Sequence, residues 1–209
     1  MPAKTIFVLS PHTDDGELGC GASISRFIEE GNTVIHVVFS LCRDSLPAGL
    51  APDTLATEAK NANAVLGVKE ENLLLLDYPV RRFSESRQSI LDEMIRLQKQ
   101  YKPVYVFIPS STDIHQDHGV IHTEAIRAFK HCTIYGYEMP WNNYSFSGTS
   151  FVAVDETNII KKVAALSTYQ SQQHRKYMQP DFITSLAKVR GVQAGVLYAE
   201  CFETIRTIQ

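Results

Sequence analysis

The chain has no apolar run near the ~18 residues that a membrane-spanning helix needs, so no span is predicted. It has no basic excess either. Twenty Lys and Arg against twenty-three Asp and Glu give a net charge of −3, which argues against a dedicated nucleic-acid binder. Cysteine is sparse and scattered: Cys20, Cys42, Cys132 and Cys201 form no Cys-x-x-Cys pair. They read as reduced, buried thiols of a cytoplasmic protein. The opening MPAKTIFVLS holds only a short apolar run, Ile6–Leu9, and meets Pro-His-Thr-Asp-Asp at once, so it reads as a first strand rather than a signal peptide. Repeats and low-complexity segments are absent. The Gly19-Cys20-Gly21 stretch does not complete a Gly-x-Gly-x-x-Gly fingerprint, and small residues there are expected to let a helix approach a sheet.

What remains is an ordinary globular composition, 44% hydrophobic and 21% charged over 209 residues. It fits one domain over 1–209, with a core in 1–138 and a C-terminal part in 139–209. Short aliphatic runs at Thr5–Leu9, Val34–Phe39, Leu73–Leu76, Val104–Ile108 and Thr133–Tyr137 read as strands. Amphipathic stretches at Glu17–Glu30, Thr54–Leu66, Ser84–Tyr101 and Val120–Lys130 read as helices, several closed by Gly or Pro. The alternation predicts βαβ units: an α/β, three-layer, Rossmann-like fold with a mostly parallel sheet and helices on both faces. In the tail, Pro140–Thr149 reads as a loop, Asp155–Gln170 and Phe182–Val189 as helical, and Val196–Ile205 as a final strand.

Two short runs concentrate metal-ligating groups. Pro11-His12-Thr13-Asp14-Asp15 follows the first strand directly and brings one imidazole and two carboxylates within four residues. Alone, it competes with a plain helix cap, a common task for Asp. His115-Gln116-Asp117-His118 follows the fourth strand after a short loop. A lone His-x-x-His is weak, and His36 and His122 favour structural roles. Position strengthens the pair of runs: in a doubly wound sheet, strands one and four are neighbours where the strand order reverses, and ligands bind at their C-terminal ends. His12, Asp15 and His118 are therefore candidate ligands of a catalytic divalent metal with an open position. Asp14 is the candidate general base for a metal-activated water. His115 is placed to stabilise an oxyanion, and Asp113 and Asp117 to orient the histidines. Zinc suits the donor set, and ferrous iron or another divalent ion does too.

The run Pro11-His12-Thr13-Asp14-Asp15-Gly16-Glu17-Leu18-Gly19-Cys20-Gly21 and the run His115-Gln116-Asp117-His118 resemble the two motifs of the PIG-L/LmbE-like zinc-dependent N-acetylglucosaminyl deacetylases. Tyr198-Ala199-Glu200-x-Phe202 is similar to that family's C-terminal segment. The resemblance implies an LmbE-like fold and removal of an N-acetyl group from a small amino-sugar substrate. It implies the same ligand and base assignments. Members often assemble, so a homo-oligomer is consistent with it. Thr13 and Gln116 stand where the motifs carry proline. No arginine precedes Glu58 within 53–57, where many relatives hold a substrate-recognising one. Arg43 and Arg82 are the candidate stand-ins, and Trp141 in the Trp-Asn-Asn-Tyr loop is a candidate sugar contact. A nucleotide-binding Rossmann-like module and a non-catalytic metal-binding member are the rival readings.

Overall fold

Among the described residues, seven strands form one sheet: β1 (Thr5–Ser10), β2 (Thr33–Val38), β3 (Leu73–Leu75), β4 (Tyr105–Pro109), β5 (Thr133–Tyr137), β6 (Ser150–Val154) and β7 (Tyr198–Arg206). Their order is β3-β2-β1-β4-β5-β7-β6. The first five are parallel, whereas β7 runs antiparallel to both β5 and β6. The structure, a computed structural model, describes residues 3–208.

The helices are α1 (Asp15–Glu29), α2 (Thr54–Leu66), α3 (Arg87–Tyr101), α4 (Gln116–Ala128), α5 (Glu156–Ser167) and α6 (Pro180–Ala194). Alternation along β1 shows why they form two outer layers. Successive strand residues face opposite sides. Ile6 and Val8 pack with Leu18, Ile24 and Leu55 from α1 and α2. Phe7 and Leu9 pack with Ile90 and Met94 of α3 and Ile121 of α4 on the other side. A strand buried on both faces reads as a near-continuous apolar run, as β1 does; β2 is interrupted once, by the buried His36. The result is the predicted α/β three-layer architecture. Among the described residues, no helix is long and apolar enough to cross a membrane.

Strand order reverses between β1 and β4, which pair directly through Ile6↔Tyr105, Phe7↔Val106 and Val8↔Phe107. Both motif runs leave the sheet at this reversal. The helix after the first run must come close to the sheet, and Gly19 allows it. A Cβ there would stand 2.5 Å from the Tyr137 ring. The Tyr137 hydroxyl in turn donates to the Leu9 carbonyl at 3.0 Å, tying β5 to the end of β1. A buried ion pair fixes the same helix from the other side. Lys162 Nζ lies 2.6 Å from Glu200 Oε1 and donates to the Leu18 carbonyl at 2.6 Å. Glu200 also accepts from the Ala22 and Ser23 amides. The Tyr198–Phe202 segment thus holds α5, β7 and α1 in register.

The structure departs from the sequence pattern in three places. α4 starts at Gln116 rather than Val120, because His115 acts as its N-cap: Nδ1 accepts the Asp117 amide at 3.2 Å. β6 was not predicted; its Ser-Phe-Val-Ala-Val run follows a Ser/Gly loop and is only partly buried at the sheet edge. α6 runs beyond Val189 to Ala194, although Val189 and Val192 are exposed, so apolar periodicity understates its length.

Candidate metal centre

Three donor atoms from the two runs converge at the strand-order reversal. Asp15 Oδ2 lies 3.1 Å from His12 Nδ1 and 3.1 Å from His118 Nε2, and the two ring nitrogens stand 3.3 Å apart. Ligands placed ~2.0–2.2 Å from a tetrahedral zinc stand about 3.3–3.6 Å from one another. The trio therefore needs only a few tenths of an ångström to admit an ion. His12 reaches the point from the loop after β1, Asp15 from the first residue of α1, and His118 from the first turn of α4.

The remote nitrogen of each imidazole is also fixed. His12 Nε2 meets Asp117 Oδ2 at 3.0 Å, and His118 Nδ1 meets Asp113 Oδ2 at 2.6 Å. Each carboxylate is itself anchored. Asp117 accepts the amides of Arg81 and Phe83, and Asp113 accepts the amide of His115. A carboxylate behind a ligating histidine sets the tautomer that leaves the inner nitrogen free for a metal. Without an ion, burial lowers the His118 pKa, but Asp15 and Asp113 outweigh it and hold the ring up at about 10. His12 is raised in the same sense, against burial, by Asp15 and Asp117. Asp15 is held well below the ordinary carboxylate range, because the two histidines overcome its desolvation. A cluster that gathers positive charge in this way has the electrostatics of a cation site.

His115 is a near neighbour, with its ring 4.9 Å from His12 and 4.7 Å from His118. A nitrogen from each of the three histidines lies within 4.8 Å of the others, so His115 could complete an all-histidine set. The Asp15 set is tighter, and His115 is engaged elsewhere. Its Nδ1 accepts a backbone amide, so the neutral ring carries its proton on Nε2 as a donor. Burial and the neighbouring histidines lower its pKa, so it stays neutral.

Asp14 occupies the N-cap position of α1, yet its side chain makes no capping hydrogen bond. The cap explanation for this residue therefore fails. Desolvation and the Asp15 charge push its carboxyl up to about 6. Asp14 lines a cavity of about 280 Å³ together with His12, Asp15, His115, His118 and Trp141. That is near the low end of the ~300–1,000 Å³ typical of small-molecule sites. A larger concavity, about 720 Å³, lies at the opposite end of the strands beside Lys4 and Tyr105, and no histidine or aspartate lines it.

Beneath the metal-site loop runs a buried polar chain. Tyr169 donates to the Thr13 carbonyl and sits 2.9 Å from Glu17 Oε1, which also accepts from Asn63. Asn63 and Ser10 satisfy the two nitrogens of His36, the structural role expected for that residue. Burial pushes Glu17 up to about 8, and a neutral carboxyl there adds no charge beside Asp14 and Asp15. His122 bonds the Pro109 carbonyl at 2.8 Å.

The substrate-contact expectations divide. Trp141 lines the cavity, stacked on Tyr177 at 3.8 Å between ring centroids. Arg82 does not; it is exposed and pairs with Glu85 at 2.8 Å. Arg43 also lies outside the lining and binds Asp77 at 3.0 Å. The arginines that do line the cavity are Arg81 and Arg175. Sequence reasoning missed both, one by a single position.

Comparison with known proteins follows the same lines. A family model described as PIG-L, GlcNAc-PI de-N-acetylase, matches residues 7–129, a span that contains both motif runs. The chain is 28% identical over 172 residues to an uncharacterized deacetylase, YaiS, of Escherichia coli (strain K12), covering 80% of this chain and 91% of the relative. The conserved protein TT1542 from Thermus thermophilus shares the fold at a TM-score of 0.81 and 23% identity, covering 99% of this chain and 96% of that one. An N,N'-diacetylchitobiose deacetylase from Pyrococcus horikoshii shares it at a TM-score of 0.79 and 22% identity, covering 97% and 84%. The matched span covers more than half of the sequence and carries the converging histidines and aspartates, and on that ground this chain belongs to the PIG-L deacetylase family.

Proposed function

We propose that the protein is a metal-dependent hydrolase that removes the N-acetyl group from an N-acetylated amino sugar or its conjugate. One observation carries this reading: the convergence of His12 Nδ1, Asp15 Oδ2 and His118 Nε2 within 3.3 Å of one another. Three ligands of nitrogen and oxygen with an open side suit a catalytic zinc, and ferrous iron is the main competitor for such a set. A divalent ion held there would supply Lewis acidity, polarising the amide carbonyl and lowering the pKa of a water toward ~7.

The protein's own groups supply the rest. Asp14 abuts the ligand Asp15 in the cavity wall, and its side chain does not cap α1. It accepts the proton of the attacking water and passes it to the departing amine. His115 offers Nε2–H to the carbonyl oxygen as that oxygen gains charge. Asp113 and Asp117 keep the two ligating rings from turning. The stacked Trp141 and Tyr177 present an aromatic edge to the cavity, against which the apolar side of a sugar ring can lie. Four buried, unpaired cysteines fit a reducing compartment, which supports a cytoplasmic location.

The test is metal analysis of the purified protein together with acetate release from N-acetylglucosamine conjugates. Asp14→Asn should keep the metal and lose about 10²–10⁴ in kcat, the usual contribution of a general acid–base group. Full activity in a metal-loaded Asp14→Asn protein would overturn the assignment.

A further inference from the structure

The 169–178 segment, between α5 and α6, forms one wall of the metal-site cavity. Gln172, Arg175 and Tyr177 line it, and Tyr177 carries the ring that stacks on Trp141. The segment holds no α-helix or strand, only two single 3₁₀ turns, Gln170–Gln172 and Lys176–Met178. Its ends are tied down by packing, because Tyr169 and Met178 are buried in the same apolar cluster as Leu55 and Ala59 of α2. The stretch between those ends meets α2 through a polar contact.

Glu58 makes that contact. α2 turns one stripe inward, and Glu58 lies on it with Leu55, Ala59, Ala62 and Leu66. A carboxylate on an apolar stripe is costly unless its oxygens are bonded. No lysine, arginine or histidine pairs with it among the described residues. Both oxygens go to Ser171 instead: Oε1 accepts the Ser171 amide at 2.9 Å, and Oε2 accepts the Ser171 hydroxyl at 2.6 Å. The Glu58 carbonyl also accepts from the Thr168 hydroxyl, at 3.2 Å. These bonds have a direction. A carboxylate only accepts, so the Ser171 hydroxyl donates to Glu58 and accepts in turn from Gln172 Nε2, 3.0 Å away. That fixes which way the Gln172 amide faces. Its nitrogen is spent on Ser171, and its oxygen has no hydrogen-bond partner among the described residues. Gln172 is only 6% exposed, and it lines the cavity.

We infer that Glu58 is a positioning residue for substrate: through Ser171 it seats the 169–178 segment over the cavity and leaves Gln172 Oε1 as an acceptor for a hydroxyl or N–H of the substrate. The inference rests on the hydrolase reading above. It assigns Glu58 to substrate binding rather than to the metal or the proton transfer. Glu58 does not line the cavity, and its hydrogen bonds go to Ser171 and Thr168 alone, not to His12, Asp14, Asp15 or His118. An apolar residue at this position would pack on α2 equally well but would offer Ser171 nothing.

The test uses the metal-loaded protein with methyl N-acetylglucosaminide as probe. Glu58→Ala should raise KM for acetate release by about tenfold or more and leave kcat within about threefold. Zinc affinity, read by chelator competition, should stay within about twofold. General loss of folded protein would lower the apparent kcat instead and leave KM alone. Glu58→Gln can still accept the Ser171 amide and donate to the Ser171 hydroxyl, so it should bring KM back to within about threefold of wild type. Ser171→Ala removes one of the two bonds and should raise KM by about threefold or more; it decides the matter if Glu58→Ala does not fold. Trypsin supplies a readout that needs no activity. Arg175 and Lys176 are exposed on the segment, and cleavage after them reports how often it leaves its seat. Relative to cleavage after Arg96 and Lys99 of α3, across the sheet, that rate should rise by about fivefold or more in Glu58→Ala. If the probe is not hydrolysed, the hydrolase reading falls, and calorimetric Kd for the same probe with the trypsin ratio still decides this one. An unchanged KM in folded Glu58→Ala and Ser171→Ala proteins would overturn the inference, as would a loss confined to kcat or an unchanged trypsin ratio.

Discussion

Replacing Asp113 with Asn probes the metal centre from behind. Asp113 uses both oxygens as acceptors: Oδ2 takes His118 Nδ1 at 2.6 Å and Oδ1 takes the His115 amide at 2.8 Å. An amide of the same shape has one oxygen and one NH₂, so one of the two donors must face another donor. If the oxygen stays with the His115 amide, the imidazole of His118 loses the partner that fixes its tautomer. If it turns to His118, the amide before α4 is left buried and unpaired. Either way one charge-assisted hydrogen bond is lost, at a cost of about 1.5–3 kcal/mol. That agrees with the ~10–100-fold loss of metal affinity typical when such a supporting carboxylate is changed, about 1.4–2.7 kcal/mol. Chelator competition with zinc would measure the affinity, and acetate release at saturating metal would measure the rate. The affinity should fall by that amount, and most of the rate should return when metal is in excess. Zinc affinity unchanged within about threefold would refute the claim that His118 ligates through Nε2.

Other expectations follow from charge and packing. The metal-free protein keeps His118 protonated up to about 10, well above the ordinary imidazole value of 6.5. A raised folded-state pKa gives stabilisation that is complete below the unfolded value and fades as pH climbs through the folded one. The Tm of chelator-treated protein should therefore drop between neutral pH and about 10, and zinc should flatten that drop; a Tm that rises over this window would contradict it. Gly19→Ala puts a methyl group 2.5 Å from the Tyr137 ring, where the Leu9 hydrogen bond limits retreat. It should cost about 1–3 kcal/mol in urea unfolding, and a neutral result would show that α1 shifts freely over β5.

The fold was largely readable because its strands are buried on both faces. Ile6-Phe7-Val8-Leu9 and Val34-Ile35 leave no polar residue to blur the pattern, and their helices end at Gly31, Gly67 and the residue before Pro103. The metal-site residues were legible for a related reason: one run leaves β1 directly and the other follows β4 after the short 110–114 loop, so short-range sequence carries much of the geometry. Arg175 had no such signal. It lies among short turns between Gln170 and Met178, where no periodicity exists, and only the return of the tail over the cavity brings it to Asp14. Arg81 and Arg82 are indistinguishable by sequence. The left-handed backbone at Arg81 separates them, sending one to the cavity and the other to Glu85. The start of α4 was misplaced because imidazole is not among the usual capping groups.

The position of β7 has a consequence for how this protein is made. Although β7 follows β6 in sequence, it is not at the margin of the sheet; it lies between β5 and β6 and pairs with both. It also delivers Glu200, the counter-charge of Lys162. A ribosome that has produced everything up to α6 has therefore made a β6 with no neighbour, a β5 with one open side, and a lysine with no partner in the core. Domains commonly begin to fold while synthesis is still under way. A chain cut before Tyr198 would therefore lose the strand that joins β6 to β5, together with the carboxylate that pairs with Lys162.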